Sequence, residues 1–290
     1  MIFVNTITKR TFKRNAVTLM LPILLAACSS SSSDSGIRDA SQSRGDVVLY
    51  LSEDFENKSF STLLNNSVIN LDHYPDPIQP FVDFPGKGIV LHYHFPVGRN
   101  DTTPAQIGVS GDEAFLTLTG SRALQEMYLE WDEYFPDSHD FANGSQKIFR
   151  AGFWGKPNPH ELSEQEGRIQ IGLELMWENS YFDLTSYYPA TNNSRERSRS
   201  NHQGFNAPRN QWFTLAVWIQ LNTPGKSDGR ITVYRDDKII AEIHDADLRG
   251  DNTEGVNYFW IGGNYSNLGQ VTRQSSSRYI DNIRWYSSKP

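Results

Sequence analysis

Several long stretches of this chain alternate apolar and polar residues with a period of two, and that pattern constrains the fold more than any other feature. In "RIQIGLELMW" (168–177), Ile169, Ile171, Leu173, Leu175 and Trp177 fall on one face of an extended chain, opposite Arg168, Gln170, Gly172 and Glu174. "QWFTLAVWIQLN" (211–222) sets Phe213, Leu215, Val217, Ile219 and Leu221 against Trp212, Thr214, Trp218 and Gln220. In "YLEWDEYF" (128–135), Leu129, Trp131, Glu133 and Phe135 oppose Tyr128, Glu130, Asp132 and Tyr134. "GRITVYRDDKIIAEI" (229–243) reads as a hairpin turning at Asp236-Asp237, and "NYFWIGGNY" (257–265) and "RYIDNIRWY" (278–286) add strands. Helical periodicity is scarce: "SRALQEMY" (121–128) predicts at most a short turn of helix. Strands with one apolar face must bury it, so the chain is expected to be all-β, with two packed antiparallel sheets in a sandwich or jelly roll. One strand, "GSQKIFRAGFWG" (144–155), breaks the pattern. Lys147 and Arg150 lie within an otherwise core-like run and, under strict alternation, fall on opposite faces.

The first residues do not follow this pattern. Lys9, Arg10, Lys13 and Arg14 precede the apolar run "AVTLMLPILLAA" (16–27), too short for a membrane span and interrupted by Pro22. It ends in "LAAC", which resembles the lipobox of bacterial lipoproteins. The resemblance implies a signal peptide over 1–27, cleavage before Cys28 and lipidation of that cysteine. Ser29, in place of an aspartate, implies the outer membrane, with the protein periplasmic or at the cell surface. Cys28 is the only cysteine, so no disulfide staples the domain. The Ser-rich segment up to residue 45 reads as a tether, leaving 46–290 as the folded domain. Six cations and two anions precede residue 46, so of the chain's 27 and 34 the domain keeps 21 cations and 32 anions, a net of −11. Bulk charge of that sign repels polyanions, and nucleic acid is not an expected partner.

Within the domain, "GIVLHYHFPVGRND" (88–101), "MYLEWDEYF" followed by "GSQKIFRAGFW", "LELMWE", "RNQWFTLAVWIQLN", "SDGRITVYRDDKII" and "YIDNIRWY" resemble, in this order, segments of concanavalin-A-like polysaccharide lyases. The likeness is greatest to the alginate and glucuronan lyase group called family 14 and spans most of 88–286. It implies a concanavalin-A-like jelly roll acting on an acidic polysaccharide. Departures fall near the chemistry. The family's Gly-Gly-Lys-Leu-Pro-Gly is here Ser145-Gln146-Lys147-Ile148-Phe149-Arg150, keeping the lysine and losing Pro-Gly. Its arginine before Leu-Met-Trp aligns with Glu174. Its Tyr-x-Tyr strand falls near "SYFDLTSYYP" (180–189), where Tyr181, Tyr187 or Tyr188 fits.

β-Elimination from a uronate needs a group that neutralises the carboxylate, a base for the C5 proton and an acid for the leaving O4. By the resemblance Lys147 belongs to the site. Arg150 could clamp the carboxylate in bidentate fashion, and Tyr187 or Tyr188 could act as acid, base or both. Arg168 and Gln170 could orient sugars, with Glu174 beside them. The alternative is a glycan-binding protein without chemistry on the same fold, with Trp212, Trp218 and Tyr128 as stacking surfaces. A third reading, a laminarinase-like glycoside hydrolase, rests on Glu130, Asp132 and Glu133, but its Glu-x-Asp-x-Glu spacing lacks one residue here. "RERSRSNH" (195–202) reads as a basic loop able to grip a polyanion. His92 and His94 share a strand face without a third ligand in sight, so no metal site is assigned. Calcium is the one cofactor the sequence leaves open, at "DADLRGDN" (245–252).

Overall fold

A computed structural model describes residues 46–58, 81–95, 97, 106–140, 146–153, 169–176, 181–187, 195–199, 207–251, 253–262 and 274–290. Cys28, Arg168 and Tyr188 lie outside these residues, as do the signal and tether segments. The described residues form two antiparallel sheets. The first runs, in spatial order, β12 (Lys238–Ala246), β11 (Gly229–Arg235), β10 (Trp212–Gln220), β5 (Glu126–Tyr134), β14 (Ser276–Tyr286), β3 (Gly88–Phe95), β2 (Phe81–Phe84), with β1 (Leu49–Glu53) also paired to β14. The second runs β4 (Gln106–Ser110), β13 (Tyr258–Gly262), β6 (Gln146–Phe153), β7 (Ile169–Met176), β8 (Tyr181–Tyr187), β9 (Arg195–Arg199). This is the expected all-β sandwich.

The alternating faces sit where the period places them. Leu129, Trp131 and Glu133 of β5 and Phe213, Leu215, Val217 and Ile219 of β10 are buried, and so are Ile171 and Leu173 of β7. The two sheets meet through rings: Trp131 of β5 stacks on Phe149 of β6 at 5.9 Å, and Trp285 of β14 meets Phe259 of β13 at 5.0 Å. Hydrophobic burial on this scale is the main favourable term in folding. Asp236 and Asp237 turn the β11–β12 hairpin with φ of 49° and 63°, as a two-residue primed turn requires.

The sequence placed its one helical turn at 121–128, whereas the helix is α1, Asp112–Thr119, and β5 already begins at Glu126. Asp112 and Glu113 stand in its first turn, where backbone N–H groups favour anions, and Gly120 ends it at φ 74° in the left-handed region.

A charged group also enters the core. Glu133 is fully buried and accepts from Arg278 Nε at 2.5 Å, Arg278 Nη2 at 2.7 Å and Trp131 Nε1 at 2.9 Å. Burial pushes the Glu133 carboxyl upward, against the pull of Arg278. Such a pair is tolerated because each charge has bonded partners, and removing one leaves the other stranded.

Candidate functional site

The two cations of β6 lie on one face. β6 pairs with β7 through Lys147↔Glu174, then Phe149↔Leu173 and Arg150↔Gly172, with a register shift between Lys147 and Phe149. Ile148 is the extra residue of a β-bulge. Because two residues of β6 oppose one of β7 there, the alternation resets, and Lys147 and Arg150 both fall in register with the even-numbered positions of β7. Those positions are opposite to the buried Ile171 and Leu173, so this is the face of the second sheet turned away from the core. The expectation of opposite faces is therefore corrected. The bulge also explains how Ile148 and Phe149, consecutive in sequence, are both fully buried.

Cross-strand register extends the face into three rows. One runs Trp260, Arg150, Gly172, Thr185, Arg197. A second runs Tyr258, Gly152, Gln170, Tyr187, Arg195. A third runs Lys147, Glu174, Asp183, Arg199. The rows bring together Lys147, Arg150, Gln170, Glu174 and Tyr187 of the sequence-predicted set. They also add Trp260 and Tyr258, which the sequence reading passed over, although the alternation of "YFWIG" puts both on the side opposite Phe259 and Ile261. Residues 195–199, expected as a loop, form the edge strand β9.

Arg150 is buried, with 3% of its surface exposed. Its guanidinium lies across Gly172: a Cβ there would coincide with Arg150 Nη1 and stand 2.5 Å from Cζ. The absence of a side chain at 172 is what lets the arginine lie flat on the sheet. Just before Lys147, Gln146 is held against His139, its Oε1 2.9 Å from Nε2, and His139 Nδ1 donates to the Ser277 carbonyl at 2.7 Å. Burial lowers the His139 pKa to about 4, so the ring is neutral with its one proton on Nδ1. Its Nε2 must then accept, which requires the Gln146 amide oxygen and nitrogen to be exchanged relative to that placement, so that the amide N–H donates to the ring. This chain of bonds ties the start of β6 to β14 of the other sheet, immediately before the bulge.

The remaining candidates lie elsewhere in the fold. Tyr128, Trp212 and Trp218 are on β5 and β10 of the first sheet and do not share the face of Lys147. Tyr128 is buried against Tyr234 and Tyr286. Trp218 Nε1 donates to Glu126 at 2.8 Å. Trp212 is covered by the Phe84 ring at 5.2 Å and the Lys87 ammonium at 5.0 Å. Both belong to the β2–β3 hairpin, whose Lys87 also reaches Asp132 at 2.7 Å and Asp281 at 3.4 Å. The glycosidase carboxylates are likewise engaged. Glu130 lies 3.0 Å from Arg284, Asp132 accepts from Lys87, Thr214 and Asn282, and Glu133 is sealed in the core. Burial alone would raise the Asp132 pKa, but its three donors together hold it below the usual value. Each of these three carboxylates is thus held by a cation.

His92 stacks on Tyr279 at 4.8 Å and bonds Ser277 Oγ at 2.9 Å; burial, with His94 beside it, lowers its pKa to about 4. At 245–252, Asp247 accepts from Asn222 at 3.0 Å and from the Gly250 N–H at 2.6 Å, tying the loop together. Among the described residues no three or more His, Cys, Asp or Glu converge as metal ligands.

No protein-family profile matches the chain, and no curated protein matches it in sequence. Solved structures do. It is similar to the marine PL-14 alginate lyase from Aplysia kurodai at 16% identity, covering 82% of this chain and 98% of that one, with a TM-score of 0.61. The endo-β-1,4-glucuronan lyase of the fungus Trichoderma reesei matches at 10% identity over 82% and 95%, TM-score 0.56. An alginate lyase mutant in complex with alginate tetrasaccharide matches at 11% over 68% and 80%, TM-score 0.52. At these identities the likeness is one of fold, and it establishes the jelly roll expected from the sequence.

Proposed function

We propose that the chain is a polysaccharide lyase that cleaves a uronate polymer by β-elimination, on the outward face of its second sheet. The observation that carries this reading is the bulge at Ile148, which sets Lys147 and Arg150 on one face with Gln170 and Tyr187. Arg150 is the carboxylate clamp: a guanidinium beside the uronate carboxylate stabilises the charge that develops when the C5 proton leaves. Tyr187, or Tyr188 next to it, serves as acid, base or both, with Lys147 as the second group. Strand spacings put the Cα of Tyr187 about 12 Å from that of Arg150 and about 17 Å from that of Lys147. Those spans suit two long side chains with a pyranose ring between them. Arg168 and Gln170 are assigned to orienting the neighbouring sugars. The fold neighbours, two alginate lyases and a glucuronan lyase, support an acidic polysaccharide as partner.

A second reading, glycan binding without chemistry, is favoured by Glu174, which is in direct register with Lys147 where the lyase family carries an arginine. The two are separated by incubating the purified full chain with alginate and glucuronan and following ultraviolet absorbance from the new C4–C5 double bond. Cleavage with a loss of about 10²–10⁴ in kcat for Lys147→Ala supports the lyase. Retention on the polymer without any absorbance rise rejects it in favour of binding alone.

The amino-terminal reading belongs to the same proposal: residues 1–27 as signal peptide, Cys28 as lipidated anchor, 28–45 as tether, and the outer membrane as location. Metabolic labelling with a radioactive fatty acid tests it, since label that survives Cys28→Ser contradicts it.

A further inference from the structure

The domain carries a net charge of −11, yet its proposed substrate is a polyanion. Global charge opposes the encounter, so attraction has to come from a local field. β9 is the place where the topology concentrates cations. Among the described residues it is the edge of the second sheet, and its sequence is Arg195-Glu196-Arg197-Ser198-Arg199. Its register with β8 is Tyr187↔Arg195, Thr185↔Arg197 and Asp183↔Arg199. Each of the three rows that hold Gln170, Arg150 and Lys147 therefore ends in an arginine position. Glu196 and Ser198 take the alternate positions. Successive arginine positions are about 7 Å apart along the strand. Charge on an edge strand also discourages strand pairing between copies, but that role does not require the arginines to share a face with the cations of β6.

We infer that β9 is a carboxylate-binding rail that captures the acidic polymer by charge and aligns it across the face, outside the chemical step. This rests on the lyase reading above and adds to it a division of labour. Arg150, Lys147 and the tyrosine act on the reacting sugar, while Arg195, Arg197 and Arg199 hold the carboxylates of its neighbours. Exposed ion pairs are individually weak and salt-screened, so the rail acts as a set, on KM and at low salt.

The test compares the full wild-type chain with three variants: Arg195, Arg197 and Arg199 all to Gln; the same three all to Lys; and Lys58, Arg122 and Lys226 all to Gln. The last makes the same change in net charge at exposed sites outside the second sheet. Cleavage of alginate and glucuronan and retention of the protein in gels containing either polymer are measured at low and high salt. The β9 glutamine variant is expected to show KM raised about five- to thirtyfold at low salt, kcat within about twofold, and a flattened salt dependence. The lysine variant recovers most of the affinity, because it keeps the charges, and the control variant keeps wild-type KM. An unchanged KM, or a kcat that falls as far as KM rises, overturns the rail and leaves the lyase standing. Retention of wild type without cleavage, lost in the β9 glutamine variant, keeps the rail and rejects the lyase. A wild-type chain that neither cleaves nor is retained removes both.

Discussion

Replacing Gly172 by alanine tests the placement of Arg150 more directly than replacing the arginine itself. In a strand interior, glycine to alanine normally stabilises by roughly 0.5–1 kcal/mol, because glycine loses more backbone freedom on folding. Here the new Cβ would coincide with Arg150 Nη1 and lie 2.5 Å from Cζ and 3.1 Å from Nε, against 3.4–4 Å for ordinary contact. The guanidinium must move by about 2 Å to restore ordinary contact. Arg150 is only 3% exposed, so it has little free space to move into. Forced overpacking of this kind costs about 1–3 kcal/mol. The two accounts therefore differ in sign. We expect Gly172→Ala to lower the free energy of unfolding by about 1–2 kcal/mol in a urea titration, with KM for the uronate polymer raised as the clamp is displaced. In an Arg150→Ala background the clash is gone, and Gly172→Ala should be neutral or stabilising. The resulting coupling of at least about 1 kcal/mol falls within the range for residues in contact. Stabilisation by Gly172→Ala in both backgrounds would refute the reasoning, since the guanidinium could not then lie over residue 172.

Two further outcomes follow from the same geometry. The pKa of His139, lowered to about 4 by burial, lies below its ordinary 6.5, so the unfolded chain takes up the proton first. Its contribution to stability is present above pH 6.5 and is lost as pH falls toward 4, by roughly 3 kcal/mol. Urea midpoints of wild type should drop through that window, and those of His139→Gln should drop less; equal slopes would show that His139 is not held neutral. Trp218→Ala, on the opposite sheet, should leave KM for the uronate polymer unchanged while lowering stability. A KM that rises without loss of stability would return Trp218 to the binding surface.

The parts of the fold that could be read from sequence are those where a period of two meets a buried face. In β5 and β10, and at Ile171 and Leu173 of β7, the alternation predicted the core side, even for Glu133, whose side was right although its partner Arg278, distant in sequence, could not be inferred. Helix α1 went unread because eight residues hold barely two turns, too few for a 3.6-residue period to show; only its acidic first turn and the glycines at 111 and 120 marked its ends. That Tyr128, Trp212 and Trp218 lie on the other sheet from Lys147 was unreadable for a different reason. Alternation separates the inward side of a strand from the outward one, but a sandwich has two outward faces with the same polar–aromatic pattern, and only strand pairing says which residues belong to which.

The site itself turned on one residue. Under strict alternation Lys147 and Arg150 cannot act together, and no choice of partner strand changes that. "KIFR" did carry the contrary signal, in the adjacent apolar pair Ile148-Phe149 between two cations. Alternation can turn only one of two neighbours to the core side, so bringing both there requires an extra residue, and an extra residue reverses the side of everything before it. A cation pair three residues apart in a strand, flanking two large apolar residues, therefore favours a bulge that brings both charges to one face. In a domain whose net charge is negative, the bulge thus sets two cations on one face of the second sheet.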